Sequence, residues 1–193
     1  MLNTNNRAFK EWAAVVRAME EGASALIVRK GGIVEEGGAF RVQDPEFFLF
    51  PNHTHQNAAQ LKPSAHPWLA ETEADRPEEG YVRISSYAAA AAVHVIPDED
   101  ALARLDGLHL WTRAYVLERL RFKPSQPLYA IVLRVYNLPA DILKPYLADY
   151  GGCTSWITLD EALSTEGAAP AMTDAAFDAE RARIEDALGP RAS

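Results

Sequence analysis

The sequence predicts a mixed α+β domain: a strongly curved sheet or a small barrel, flanked by helices and carrying one long inserted loop. Three observations lead there. Short β-rich apolar runs recur along the chain, as at 25–28, 47–50, 81–84 and 127–136. Helical patterns fall between them without the regular strand–helix–strand alternation of a doubly wound fold. Residues 57–80 ("NAAQLKPSAHPWLAETEADRPEEG") show no periodicity, three prolines and a run of acids, which is the composition of a long loop or lid.

The elements follow in order. Phe9, Trp12, Ala13, Val16 and Met19 recur at helical spacing, so residues 7–20 are expected to form an amphipathic helix that Gly22 stops. Residues 25–28 are a short buried strand that runs through Arg29 and Lys30 into a turn at Gly31-Gly32. Further strands are expected at 40–42 and 47–50, separated by the turn-prone "QDPE" and ended by Pro51. The loop that follows is expected to hold a short helix near Ala58. "YVRI" (81–84) and "AAAAAVHVI" (88–96) are expected as strands, because Val93, Val95, Ile96 and the following Pro97 outweigh the helical preference of the alanines.

Asp98 is placed to cap a helix through Leu105, and Thr112 to cap another carrying Val116, Leu117 and Leu120. Between them "GLHLW" (107–111) is expected as a strand. "PLYAIVLRVY" (127–136), apolar on both faces, is the expected central strand. "ADILKPYLADY" (140–150) suits a helix broken at Pro145, and "GGCTSWITL" (151–159) a returning strand. Thr173 or Asp174 caps a last helix with Phe177, Ile184 and Leu188 on one stripe. The expected organisation is one domain over 1–160 and a C-terminal linker and helix over 161–193.

With 48% hydrophobic and 24% charged residues among 193, the chain has the apolar material for a core. No run approaches the roughly 18–20 apolar residues of a membrane span. The start "MLNTNNRAFKEW" lacks the regions of a signal peptide, so a cytoplasmic location without membrane association is expected. A single cysteine, Cys153, excludes an intramolecular disulfide and a multi-cysteine zinc site. The net charge of −8 weighs against a general nucleic-acid binder. Its distribution is uneven, however: residues 71–79 and 160–193 are acidic, whereas 101–147 holds seven bases against three acids. Local sign governs what approaches a surface.

Arg29 and Lys30 stand at a strand end before two glycines. The order is wrong for a phosphate loop, and "GGIVEEGG" is not a dinucleotide fingerprint. What remains is two cations beside a turn that admits a close backbone. Either they grip phosphate or carboxylate, or they are solvated at a hairpin tip. Arg29 paired with a buried carboxylate such as Glu11 or Glu46 is the structural alternative.

His53 and His55 in "FLFPNHTHQ" share one side of an extended segment and are the candidate metal ligands. Nothing in the spacing selects a third from His66, His94, His109 or a carboxylate, so neither metal nor cofactor is expected. His55 and Gln56 can instead supply hydrogen bonds to a ligand. Trp111, Arg113, Arg119, Arg121, Lys123, Arg134 and Tyr136 interleave aromatic planes with cations, as single-stranded nucleic acid requires. The competing roles are a core anchor for Trp111 and an ion pair to Glu11 or Glu118 for Arg134. Cys153 among glycines is either a nucleophile or a small core residue. Glu11, Asp44 and Glu46 do not make the usual metal-dependent nuclease constellation.

The segments "AFKEWAAVVRAM", "LIVRKGGI", "FRVQDPEFFLFPNHTHQ", "LHLWTRAYVLERLRFKP", "LRVYNLP" and "YGGCTSW" together resemble the bacterial domain-of-unknown-function family eighteen-oh-two, over residues 8–188. That resemblance implies no activity. More loosely, Trp12, Gly22 and a strand ending at Arg29 are similar to the opening of the PUA-like superfamily, which includes ASCH and EVE domains. This second likeness implies a small curved barrel that binds RNA or modified bases, with a few relatives that are hydrolases. The segment 35–80 departs from a minimal domain of that type. The resulting expectation is a nucleic-acid or nucleotide-binding module with a basic cleft, lined by Arg29, Lys30, His55, Gln56, Trp111, Arg113 and Arg134. Its partners would be RNA, DNA or a small anionic ligand. The rivals are a metal-assisted phosphodiesterase or small hydrolase using His53 and His55, and a scaffold that meets a protein partner through its C-terminal helix.

Overall fold

The computed structural model describes residues 1–30, 44–152 and 154–189, and the backbone alone at 35–36 and 39–40. The expected glycine turn at Gly31-Gly32, residues 41 and 42 of the expected strand, and Cys153 lie outside the described residues. The chain begins with strand β1 (Thr4–Trp12) and passes directly into helix α1 (Ala13–Glu20). The helix expected over 7–20 is therefore a helix only in its second half. Tertiary pairing overrides the local pattern: β1 runs parallel to β5 (Glu46–Asn52) on one edge and antiparallel to β8 (Trp156–Ser164) on the other. Ala8 and Phe9 are consequently buried in different clusters. Gly22, at φ 69°, turns the chain out of α1, where a side chain would meet the Ala171 carbonyl at 2.9 Å.

The remaining strands are β2 (Leu26–Lys30), β3 (Glu35–Glu36), β4 (Ala39–Phe40), β6 (Tyr81–Ile96), β7 (Leu128–Pro145) and β9 (Ala169–Pro170). The main sheet has the order β2-β7-β6-β5-β1-β8, with β9 against β7, while β3 and β4 pair separately. Among the described residues its edges, β2 and β8, are not paired with each other, so this is an open mixed sheet rather than a closed barrel. β5 lies inside the sheet with both faces covered. Phe47 and Leu49 enter one cluster, and Phe48 and Phe50 the other, which is why its sequence is apolar at successive positions.

The alanines of 88–92 stay in the strand because β6 is paired with β5 and β7 on its two sides. The helix expected over 140–150 is a correction of the same kind. Ile142, Leu143, Lys144 and Pro145 continue β7, opposite Ile84, Arg83, Val82 and Tyr81. Cross-strand partners decide β structure more than intrinsic preference does, and Pro145 sits at the last position, where a missing N–H is tolerated.

The expected strand over 107–111 is absent; only Trp111 bridges to Leu61, and the segment instead buries Leu108, Leu110 and Trp111. Within 57–80 a short 3₁₀ turn (Ala58–Gln60) is present as expected, capped by Asn57, and helix α2 (His66–Ala74) was not expected. α2 has no apolar stripe to announce it. It is fixed by Trp68 and Leu69 packing on the core and by Trp68 Nε1 donating to Glu21 Oε2 at 2.8 Å. Helices α3 (Glu99–Arg104), α4 (Arg113–Arg121) and α5 (Asp174–Leu188) carry the expected caps at Asp98, Thr112 and Thr173. β8 runs through residue 160, and α5 buries Phe177 and Ile184. No helix of the described residues is long and apolar enough to cross a membrane.

Candidate anion-binding site

β1 delivers Lys10, Glu11 and Trp12 to the point where the chain turns into α1. Lys10 is buried, donating to the carbonyls of Gly151 and Gly152 at 3.3 Å each, and its backbone N–H donates to Ser155 O at 2.8 Å. These bonds tie the segment before β8 to β1 and place Ser155. β2 brings Arg29 to the same place from the far side of the sheet order. Arg29 Nη2 donates to Ser155 Oγ at 2.6 Å, Nη1 lies 3.4 Å from Glu11 Oε2, and the guanidinium stands 4.7 Å over the Phe9 ring.

Glu11 is 1% exposed, whereas the Arg29 side chain is 23% exposed. Burial pushes the Glu11 carboxyl up from its ordinary range, and the Arg29 charge and the Trp12 N–H, donating to Oε1 at 2.8 Å, oppose that shift. Of the two carboxylates considered for Arg29, Glu11 is thus the partner. Glu46 is engaged by the N-terminal amine, the Leu2 N–H and the Tyr87 hydroxyl.

Beside this pair stand two half-buried rings, Trp12 and Tyr115, 6.1 Å apart. The Tyr115 hydroxyl is pushed up by burial, with Arg119 and then Glu11 and Arg29 near enough to act on it, so α4 presents its charges to the same spot. Lys30 Nζ donates to Leu120 O at 2.9 Å, and its pKa is lowered by burial and then by Arg119. Trp111 is buried, edge-on to Trp12 at 4.7 Å, and supports the half-buried rings from the core. Arg113 is exposed at the start of α4.

Other expected site residues go elsewhere. Gln56 is engaged at both ends: its Oε1 accepts the Ala14 N–H at the start of α1 at 2.9 Å, and its Nε2 donates to Glu73 Oε1 at 2.8 Å. His55 is exposed at φ 67°, which breaks the extended alternation that would align it with His53. His53 instead lies 3.8 Å from Glu73 Oε1 and lines a cavity under α2, and burial lowers its pKa. No cluster of three metal-ligating side chains occurs among the described residues. Arg134 belongs with α5, where it pairs with Asp174 Oδ1 at 2.6 Å and stands 4.7 Å over Phe177, rather than meeting Glu11 or Glu118.

Glu11, Trp12, Tyr115 and Ser155 were not expected as members of a site. Their signal lies in the sequence only as membership of "FKEW", "WTRAY" and "GGCTSW", three segments far apart in the chain that meet here.

A family model described as "Domain of unknown function (DUF1802)" matches residues 8–183. No curated protein matches the chain. One solved structure, a mutant of the ZmASCH protein from Zymomonas mobilis, is similar over 77% of this chain and 92% of its own, with 10% identity and a TM-score of 0.38.

Proposed function

Since the chain belongs to the DUF1802 family, described as a domain of unknown function, we propose its role from its own geometry: a nucleic-acid or nucleotide-binding module in which Arg29 takes a phosphate oxygen. One observation carries this reading. Arg29 is held by Glu11, Ser155 and Phe9, yet about a quarter of its side chain remains exposed. A guanidinium has five N–H donors, of which the described contacts use two, and one already fixed in place loses little entropy when it binds. Trp12 and Tyr115 supply planes on which a base can stack. Arg119, which acts on both Lys30 and Tyr115, adds local positive charge on a chain that is acidic as a whole.

The test is a titration of labelled single-stranded RNA and DNA, and of nucleoside phosphates, at two ionic strengths. Binding should fall steeply with salt, because neutralised phosphates release their counterions. Arg29→Lys, which keeps a cation beside Glu11 but loses the planar fork, should weaken binding by about 1–3 kcal/mol. Absence of binding to every one of these ligands at low salt removes the proposal.

A further inference from the structure

Away from Arg29, a cavity of about 430 Å³ lies between α1, α2 and the beginning of β6. Two guanidinium groups converge there on one carboxylate oxygen: Arg83 Nη1 and Arg17 Nη2 lie 2.5 and 3.4 Å from Asp75 Oδ2. Asp75 follows the last residue of α2, and its side chain is 54% exposed. The chain's own anion thus lines the cavity from a position where solvent competes for it.

Arg17 has a second acidic neighbour: Glu20 Oε2 lies 3.7 Å from its Nε. Glu20 is mostly buried, and its other oxygen accepts the Ser85 hydroxyl at 2.5 Å and the Ser86 hydroxyl at 2.8 Å. Burial pushes its carboxyl up, and the two serines and Arg17 oppose the shift. A further donor or cation at Oε2 would therefore be welcome. The anion position and the cation position thus border a single guanidinium, at its Nη2 and its Nε.

We propose that this cavity binds a small zwitterion, a free α-amino acid or close analogue, whose carboxylate replaces that of Asp75 on Arg17 and Arg83 while its ammonium meets Glu20. Only a ligand with adjacent opposite charges satisfies both positions. A phosphate is disfavoured, because Glu20, Asp75, Glu78 and Glu79 outnumber the three arginines lining the cavity. A simple carboxylate brings no cation to Glu20, whose charge then rests on Arg17 and the two serines alone. Ala13, Val16 and Val82 also line the cavity and offer an apolar wall to an aliphatic side chain.

The experiment is calorimetric titration with a panel of free α-amino acids, their N-acetyl derivatives, and a nucleoside monophosphate. At least one aliphatic amino acid should bind saturably, and its N-acetyl form should not. Asp75→Asn removes the internal competitor at an exposed position and should tighten binding several-fold. Glu20→Gln, which can still accept from both serines, should weaken it about tenfold, the factor that corresponds to about 1.4 kcal/mol. The proposal is overturned if no amino acid binds either the wild-type or the Asp75→Asn protein. Equal binding of free and acetylated forms, or binding of the nucleotide alone, overturns it as well. Because Arg29 takes no part, these outcomes are independent of those of the nucleic-acid titration.

Discussion

Arg29 Nη1 lies 3.4 Å from Glu11 Oε2, and the two members of the pair differ sharply in access: Glu11 is 1% exposed, its guanidinium partner 23%. The pair is thus a structural ion pair on one side and an accessible cation on the other.

Arg29→Ala should consequently cost about 3–5 kcal/mol of stability near neutral pH, since it leaves a buried carboxylate uncompensated. Urea unfolding measures it. The loss should shrink on acidification, because Glu11, whose carboxyl is already pushed up, can then take a proton. A loss below about 0.5 kcal/mol at neutral pH, the range of an ordinary surface substitution, would show that the pair contributes nothing to the fold.

Glu20 gives a pH dependence with a definite sign. Its folded pKa is raised above 4.5 by burial, so the folded state binds the proton more tightly than the unfolded chain does. Its contribution is fully present below the unfolded pKa and is lost as pH rises through the folded one. Glu20→Gln should flatten stability above pH 4.5 and raise the Tm at pH 7. Thermal melts over a pH series in which mutant and wild type run parallel would contradict this.

Arg134 and Asp174 should behave unequally. Asp174 is 95% exposed and Arg134 only 11%, so removing the acid should cost less than about 1 kcal/mol. Arg134→Ala also removes the guanidinium over Phe177 and the bond to Thr173 O, and should cost about 1–3 kcal/mol. Amide exchange should then accelerate through α5 first. Equal effects from the two substitutions would place the stabilisation in the ion pair rather than in packing.

Gln56→Ala should cost about 0.5–2 kcal/mol, the scale of a lost helix cap, because it leaves the Ala14 N–H unsatisfied and unties Glu73 of α2. Exchange at Ala14 and over α2 reports both effects. No change at Ala14 would show that the side chain does not cap α1.

Local chemistry was legible in the sequence. Asp98, Thr112 and Thr173 cap helices through hydrogen bonds that span three residues, and Phe177 and Ile184 face inward at helical spacing. Phe47 to Phe50 and residues 128–135 declared themselves as strands, because both faces are covered and the side chains are apolar but for Arg134. The mixed α+β class followed from the order of such runs.

What the sequence by itself determined was therefore the elements whose stabilising contacts are near in the chain or whose composition suits only one environment. The tertiary structure decided the rest. Residues 4–12 are a strand because residues 46–52 and 156–164 flank them, and 142–145 extend β7 because 81–84 lie opposite. Arg29 meets Glu11 and Ser155 across 18 and 126 residues of chain. A helical spacing at 9–19 was real as a pattern but could not register those partners. Strand pairing and buried ion pairs draw their free energy from residues that only the order of the sheet brings together, so no window of local sequence contains them.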